Sequence, residues 1–503
     1  MPVLASIDIG SNALRLTVVT VDADRQFTVL ENVREAVRLG ADVFTQSVIS
    51  EETLDRACGA MQNFKKIIDA RGVKWVKAVA TSAVREALNK DIFLDRVVQA
   101  SGIEVDVIGP EEEARLIHLA VAEKVDLERG VSILVDIGGG STEITIVSEG
   151  NIISTESYRM GTVRLLQLLG DRKRPEKHFN QLVQEYVGAT QKRLRKEIGK
   201  RHVDRCIGTG GNIETLGYLR REILGKERDT ILSAEELDDL AKRMSSATYE
   251  QRVQEYGLRP DRADVIVPAS IILQNIVRQS GVDEVEIPHV GLKEGSLLEL
   301  VRELYGGERA PQRTQVMASA LELGRKFQFD EQHGTTVSRL AVGLFDETRS
   351  IHGLGLEHRQ LLEVAALLHD IGTVLNASDH HKHTHYLLMA SPMVGLSDSQ
   401  RAIVANVARY HRKSEPKPQH DAYRVLSARD RVTVSKLAAI LRLADAMDNQ
   451  HAAKVTSFSV EYKKPRLTLR LEGEGDLLLE KWALAKKAGM FEDIFSVKVV
   501  TED

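Results

Sequence analysis

Two short segments of the chain join a carboxylate to a glycine turn. Ser6-Ile7-Asp8-Ile9-Gly10 and Leu134-Val135-Asp136-Ile137-Gly138-Gly139-Gly140 each read as a strand that ends in Asp and turns through Gly. The carboxylate of such a turn can hold a hydrated divalent cation. The adjoining N–H groups, unobstructed by Cβ atoms, can cradle phosphate oxygens. Ser11, Asn12, Ser141 and Thr142 add neutral donors. One copy alone reads equally well as a tight hairpin. Two matched copies, with Asp8 and Asp136 128 residues apart, read as paired phosphate-binding turns.

Three further groups carry chemistry. Glu111-Glu112-Glu113 stands where a loop enters a helix at Pro110. An acidic first turn complements the helix dipole. Crowded carboxylates also raise one another's pKa, which suits a general base. Thr81, Ser82 and Arg85 open a helix after a strand, where hydroxyls, N–H groups and a guanidinium can meet an anion. A plain N-cap with a solvated arginine explains them as well. Gly208-Thr209-Gly210-Gly211 is another glycine turn that opens a helix.

The elements that must place these residues follow from periodicity. Strands are expected at Leu14 to Val21, Phe27 to Val37, Val76 to Ala80, Ile103 to Ile108, Glu143 to Val147 and Asn151 to Tyr158. Helices are expected from Glu51 to Ala70 and from Pro110. The repeat, with copies ending Arg38-Leu39-Gly40 and Arg159-Met160-Gly161, predicts two related α/β halves around a cleft, residues 1–125 and 126–305. Glycine and proline punctuate a linker at 305–311. Beyond it, i, i+3, i+4 apolar spacing at Leu361 to Leu368, Arg401 to Tyr410 and Val434 to Met447 predicts an all-helical domain, 311–452. Alternation at Phe458 to Tyr462, Leu467 to Leu471 and Phe495 to Val500, with a helix around Leu479 to Ala488, predicts a small strand–helix–strand cap, 453–503.

Composition narrows the function. The 503 residues are 43% hydrophobic and 28% charged, which is ordinary globular usage and rules out disorder. Cys58 and Cys206 are too few for a disulfide framework, so a reducing, cytoplasmic setting is expected. The most apolar stretch, Val265 to Val277, is broken by Pro268, Gln274 and Asn275 and is too short for a membrane span. A net charge of −5 disfavours nucleic acid as a partner. Between Arg401 and Arg442, ten Lys or Arg against three Asp or Glu make a locally basic stretch that suits a long polyanion, although a solvated helix face has the same composition.

The two turn segments, Ser6 to Val19 and Leu134 to Val147, resemble the phosphate motifs of the actin-like ATPase and sugar kinase superfamily. With Ala80 to Asn89, Glu111 to Ile117 and Ile207 to Leu216, the chain resembles the exopolyphosphatase and guanosine pentaphosphate phosphohydrolase (Ppx/GppA) family over nearly its whole length. The resemblance implies two actin-like α/β halves, then a helical HD-like domain and the α+β cap. It implies hydrolysis of terminal phosphate from inorganic polyphosphate, with the 5′ phosphate of guanosine pentaphosphate as the alternative. A polyphosphate- or nucleotide-sensing scaffold is a third reading, disfavoured because every candidate carboxylate is retained. Glu113, directly before the Ala-Arg-Leu-Ile stretch, matches the family's catalytic glutamate. Asp136 and Glu143 match its metal and water-positioning carboxylates, with Asp8 assisting through a bridging water. Arg85 would assist at the phosphoryl group. Gly10, Ser11, Asn12, Thr81, Ser82, Gly138, Gly139, Gly140, Ser141, Gly208, Thr209, Gly210 and Gly211 would bind substrate. Mg2+ or Mn2+ is the implied cofactor and a homodimer the expected assembly. Gly291-Leu292-Lys293-Glu294-Gly295 resembles a Gly-x-Arg-Glu-Gly stretch with Lys for Arg, but His289-Val290 stands where some members have Asp-Gly.

The helical region resembles HD-domain phosphohydrolases in the order of His333, His369-Asp370 and Asp445. That resemblance implies a second metal on these four residues. Salt bridges and hydrogen bonds among them explain the same set without a metal. Asp379 to His385 adds four histidines, which read as a solvated or anion-binding loop.

Overall fold

A computed structural model describes residues 1–170, 176–199, 201–305 and 310–502. The chain divides into two units, 1–308 and 309–503. Residues 306–309 of the expected linker lie outside the described residues.

The first unit holds two sheets of the same plan. In the first, β1 (Val3–Ile9), β2 (Leu14–Val21), β3 (Phe27–Glu35), β4 (Trp75–Ala80) and β5 (Asp106–Val107) run in the order β3-β2-β1-β4-β5. The second contains β6 (Val131–Ile137), β7 (Thr142–Ser148), β8 (Asn151–Tyr158), β9 (Arg205–Thr209), β10 (Ile231–Ser233) and β11 (Glu284–Glu286). Its order, β10-β11-β9-β6-β7-β8, repeats the first plan with β10 added at one edge. The central strands β1 and β6 pair antiparallel on one side and parallel on the other. Both are buried nearly end to end, which is why they read as continuous apolar runs. The expected strand from Ile103 to Ile108 shrinks to Asp106–Val107, because only those two residues pair with β4.

Each sheet packs its own core. Ile7, Leu16, Met61, Phe64 and Phe93 fill the first. Ile133, Ile144, Leu216, Ile272 and Ile276 fill the second. The apolar stretch near Val265 is a helix of that second core, Ile266–Ser280, with Pro268 in its first turn where no intrahelical N–H is needed. Among the described residues no helix is long and apolar enough to cross a membrane. Cys58 and Cys206 are free thiols.

The second unit packs the helices Glu331–Glu347, Leu356–Leu368, His380–Ala390, Asp398–Arg409 and Ala428–Ala446 with a sheet of β12 (Val455–Lys463), β13 (Arg466–Gly473) and β14 (Lys498–Glu502). The C-terminal segment shares one core with the helices, through Val455, Leu469, Leu484 and Phe491, rather than standing apart as a cap. Phe495 ends the helix Gly489–Phe495, so the last strand starts three residues later than alternation suggests. The histidine segment is a helix rather than a loop, with His380 and His381 buried. The basic stretch is largely occupied by the fold itself. Arg401, Lys413 and Arg424 pair with Asp398, Asp379 and Asp421, and buried Arg442 donates to the carbonyls of Tyr410, Lys413 and Ser414.

Both halves of the first unit fold a glycine back onto the turn. Gly40 N–H donates to Ser11 O at 2.8 Å. A Cβ on Gly161 would collide with the backbone of Gly139 and Gly140. Gly161→Ala is therefore expected to destabilise by about 1–3 kcal/mol, the range for overpacking. Gly59→Ala, inside the helix Glu51–Ala70 with open space around it, is expected to stabilise by about 0.5–1 kcal/mol. Denaturant unfolding of the two variants checks this; equal midpoints would remove the steric role of Gly161.

Candidate functional site

The repeat departs from itself at one cross-strand pair. In the first half Asp8 faces Arg15 across β1 and β2, and Arg15 Nη1 lies 3.0 Å from Asp8 Oδ2. In the second half Asp136 faces Glu143 across β6 and β7. Opposed like charges destabilise a sheet pair. Asp136 accepts a hydrogen bond from Thr209 Oγ1 at 3.0 Å, and Glu143 accepts one from Ser157 Oγ at 2.9 Å. A third carboxylate joins them. One oxygen each from Glu113, Asp136 and Glu143 lie within 4.8 Å of one another.

Burial dominates the electrostatics of this trio. It pushes Glu113 well above the usual carboxylate range, and the nearby Glu143 adds to the effect. Asp136 is pushed up to about 7 by burial and then by Glu143. Burial raises Glu143 too, against hydrogen bonds from Ser141 and Ser157.

Glu113 sits in the first turn of the helix Pro110–Ala122, which proline opens. That helix is fixed from outside the cleft. Arg115 pairs with Glu112 at 2.7 Å and with Glu299, which also takes Lys77. Gly295 lets its own helix, Leu292–Leu304, close onto the backbone of Leu116. Arg85 serves the base rather than the phosphate turns. Its Nη1 donates to Ile108 O at 2.6 Å and lies 3.6 Å from Glu113 Oε2.

The two glycine turns face each other at the cleft floor. Gly10 N–H donates to Ala13 O at 3.1 Å and Gly138 N–H to Ser141 O at 3.0 Å, the same contact in both copies. These two amides close the turns, so they are not available to an anion as the sequence suggests. Ser11 Oγ lies 3.0 Å from Ser82 Oγ. Gly10, Ser11, Asn12, Thr81, Ser82, Gly138, Gly139, Ser141, Gly210 and Gly211 line a cleft of about 600 Å3 together with Asp8, Glu113, Asp136 and Glu143. Three expected binding residues do other work. Gly140 is buried where a Cβ would strike Ser82, Phe44 and Ser11. Gly208 packs under Ile213 and Val285. Thr209 orients Asp136.

Several residues in the cleft went unread in the sequence. Arg15, Arg34 and Arg262 form a crowded basic wall. Arg262 donates to Asn212 Oδ1 at 2.8 Å, and burial followed by Arg15 pushes its guanidinium down to about 9. Arg34 pairs with Asp261, which also meets Asn12 Nδ2 at 3.4 Å and so ties the halves together. Buried Arg164 donates to Gly140 O at 2.6 Å and pairs with Glu86, pinning the second turn. Lone arginines far apart in sequence carry no pattern that marks them. Lys293 and Glu294, by contrast, belong to the stretch singled out and do line the cleft.

The second unit gathers the other predicted set. His333 and His369 meet Nε2 to Nε2 at 3.2 Å, and Asp445 Oδ1 lies 3.7 and 3.6 Å from them. Asp370 Oδ1 lies 3.7 Å from His369 Nε2. Burial alone would lower the His369 pKa, but Asp370 and Asp445 overcome it and push it up to about 9. Lys487 Nζ holds the other oxygen of Asp445 at 2.5 Å.

The model of the Ppx/GppA phosphatase family matches residues 17–304, and that of Ppx/GppA phosphatase domain III matches residues 316–488. A guanosine-5'-triphosphate,3'-diphosphate pyrophosphatase from Vibrio vulnificus is 26% identical over 94% of this chain and 90% of its own length. One of the same name from Vibrio parahaemolyticus is 27% identical over 88% and 87%. The crystal structure of an exopolyphosphatase from Cytophaga hutchinsonii is 29% identical, with a TM-score of 0.55, over 61% of this chain and 99% of that one. An Aquifex aeolicus member of the Ppx/GppA family is 28% identical at a TM-score of 0.52 over the same shares.

The carboxylate trio makes a stability prediction. An Asp136 carboxyl with a folded pKa near 7 binds its proton more tightly folded than unfolded. Its contribution is present below the unfolded pKa of about 3.9 and is lost as pH rises through the folded value. In chelator, Asp136→Asn is expected to unfold at higher denaturant than wild type at pH 8, by up to about 4 kcal/mol. The gap should narrow steadily from pH 7 to pH 4. A variant less stable than wild type at pH 8 would contradict the buried like-charge pair.

Proposed function

The chain belongs to the Ppx/GppA phosphatase family, and within it we propose that it releases terminal orthophosphate from inorganic polyphosphate. One observation carries the reading: the carboxylates of Glu113, Asp136 and Glu143, with Arg85 3.6 Å from Glu113 alone, share a cleft with Arg15, Arg34 and Arg262 and with the residues of the two glycine turns. Asp136 and Glu143 have no ion-pair partner among the described residues, while Arg15 and Arg34 hold Asp8 and Asp261 beside the buried Arg262. A metal-bound polyphosphate would meet the carboxylates through its cation and the arginines through its phosphates.

Glu113 is the general base. As water oxygen attacks the terminal phosphorus, its proton passes to the Glu113 carboxylate. The anhydride P–O bond breaks in line, giving orthophosphate and a chain shorter by one. Desolvation raises the Glu113 pKa well above the usual carboxylate range, which makes its carboxylate a stronger proton acceptor. Arg85 positions the carboxylate from behind. The turn residues Ser11, Asn12, Gly139 and Ser141 offer N–H and hydroxyl donors to the phosphoryl oxygens. Arg15, Arg34 and Arg262 hold the phosphates behind the scissile one.

The residues fit Mg2+ or Mn2+. Asp136 and Glu143 offer only hard oxygen donors, and Glu113 Oε2 is buried without a hydrogen-bond partner. Asp136 and Glu143 would hold the ion, which supplies charge neutralisation at the reacting phosphoryl group. Asp8, engaged by Arg15, would contribute only at longer range.

The second reading is removal of the 5′ phosphate of guanosine pentaphosphate. The two Vibrio relatives, matched over nearly their whole length, carry a name of that kind. The leaving group decides between the readings, since the same trio would serve both.

Phosphate release from polyphosphate and from guanosine pentaphosphate, measured side by side, tests the proposal. Polyphosphate is expected to give the higher kcat/KM. Glu113→Gln is expected to lose about 10²–10⁴-fold in kcat on either substrate with KM little changed. Near-normal release by the variant would remove Glu113 as the base. A preference for guanosine pentaphosphate would replace the substrate and keep the site.

A further inference from the structure

Arg262 stands in the most crowded part of the cleft. Arg15, Arg34 and Arg259 surround it with like charge, and Asp261, which opposes them, is shared between Arg34 and Arg259. Among the described residues Arg262 forms no ion pair. Its one side-chain hydrogen bond runs from Nη1 to a neutral atom, Asn212 Oδ1, at 2.8 Å.

The rest of the guanidinium is left open. Five N–H donors stand on it in a fixed fork. Asn212 takes one nitrogen. Nε is buried without a hydrogen-bond partner. Nη2 lies over Gly211, where a Cβ would collide with it. Nε and Nη2 share one edge of the group, and such an edge takes two oxygens of one phosphate side by side. Gly211 provides the space for that edge, and the Asn212 contact leaves it unoccupied.

Asn212 is itself fixed. It is buried, as the third residue of the helix Gly210–Leu224. Its Nδ2 donates to Ile137 O at 2.7 Å and meets Thr162 Oγ1 at 3.4 Å. Ile137 ends β6 directly before Gly138, and Thr162 N–H donates to Gly138 O at 3.1 Å. Arginine only donates and a carbonyl only accepts, so one orientation of the amide satisfies both neighbours. A single side chain therefore holds the second glycine turn with its nitrogen and Arg262 with its oxygen.

The choice of an amide has a consequence. Asp8 pairs with Arg15, and Asp261 with Arg34. A carboxylate in the place of Asn212 would pair with Arg262 in the same way and cancel the charge that a phosphate needs. An amide orients the guanidinium and leaves its charge intact.

We propose that Asn212 is a positioning residue for substrate. It aligns the Nε–Nη2 edge of Arg262 with the second glycine turn, so that this edge holds a phosphate behind the scissile one. By staying neutral it leaves the charge of Arg262 to the substrate. The inference rests on the phosphohydrolase reading of the cleft, and not on which of the two substrates is used.

The test is a double-mutant cycle on the full chain: wild type, Asn212→Ala, Arg262→Lys and the double variant. Steady-state phosphate release is measured from polyphosphate and from guanosine pentaphosphate. Asn212→Ala is expected to raise KM about 10-fold or more, the scale of a hydrogen bond to a charged group. Its kcat is expected to stay within about threefold of wild type, because the loss is one of binding. In the Arg262→Lys background the same change is expected to move KM less than about twofold, since the contact it supports is already gone. Asn212→Asp has the same shape and keeps the acceptor, so it carries the test if the alanine variant does not fold. It is expected to raise KM too, by pairing with Arg262. Additive KM changes in the cycle would overturn the inference, and so would a fall in kcat with KM unchanged; either would leave Asn212 as a support of the turn alone. A wild-type KM in Asn212→Asp would overturn the role of the neutral amide. Wild type that hydrolyses only guanosine pentaphosphate would replace the polyphosphate reading, and the cycle on that substrate would still decide the role of Asn212.

Discussion

Asp136 and Glu143 face each other across an antiparallel strand pair, and among the described residues neither forms an ion pair. The equivalent pair in the first half is Asp8 and Arg15, a salt bridge. A single exchange of sign within an internal repeat therefore leaves one half with a salt bridge and the other with two opposed carboxylates. Much of the first unit can be read as accommodation of that exchange. Thr209 and Ser157 hold the two carboxylates with neutral donors. Arg115, Lys77 and Glu299 anchor the helix that brings the third carboxylate. Arg164 pins the turn beside them. Ionised groups so placed cost stability, and that cost is the usual counterpart of a site prepared for a ligand.

The sequence was most readable where chemistry and periodicity coincided. Asp8 and Asp136 each stand one residue before their strand ends, at Ile9 and Ile137, and both turns lie where the repeat puts them. Ser50 caps the helix Glu51–Ala70 by accepting from Thr53 N–H, so its boundaries follow from local signals. Other features depend on contacts between distant residues. Arg262 carries no local signal, yet Asn212 and the basic wall make it part of the cleft. Arg85 reads as an anion ligand beside Thr81 and Ser82, but Ile108 O and Glu113 claim its guanidinium. Glycine-rich turns mix binding residues with packing residues, and only the neighbours of Gly140 and Gly208 reveal which they are.

The second unit shows the same limit more sharply. His333, His369, Asp370 and Asp445 were visible because their order resembles a known constellation. His380 was not, because a run of histidines has no spacing rule of its own, and His411, alone just past the helix Asp398–Arg409, carries no pattern. Helix formation at His380 buries it together with His381, and His380 and His411 bring Nε2 to within 3.1 and 3.4 Å of Asp370 Oδ1. The C-terminal segment likewise reads as a separate cap, yet its Leu469, Leu484 and Phe491 complete the helical core and its Lys487 completes the ion cluster.

The central claim is that the reversed sign at Glu143 creates the demand for a cation in the cleft. Glu143→Arg would give the second half the pairing of the first. The measurement is the melting temperature of wild type and variant across a Mg2+ titration. Wild type is expected to rise with Mg2+. The variant is expected to start higher than wild type in chelator, through a pair with Asp136, and to respond little to the ion. A variant that starts lower and still gains the full wild-type rise would contradict the account.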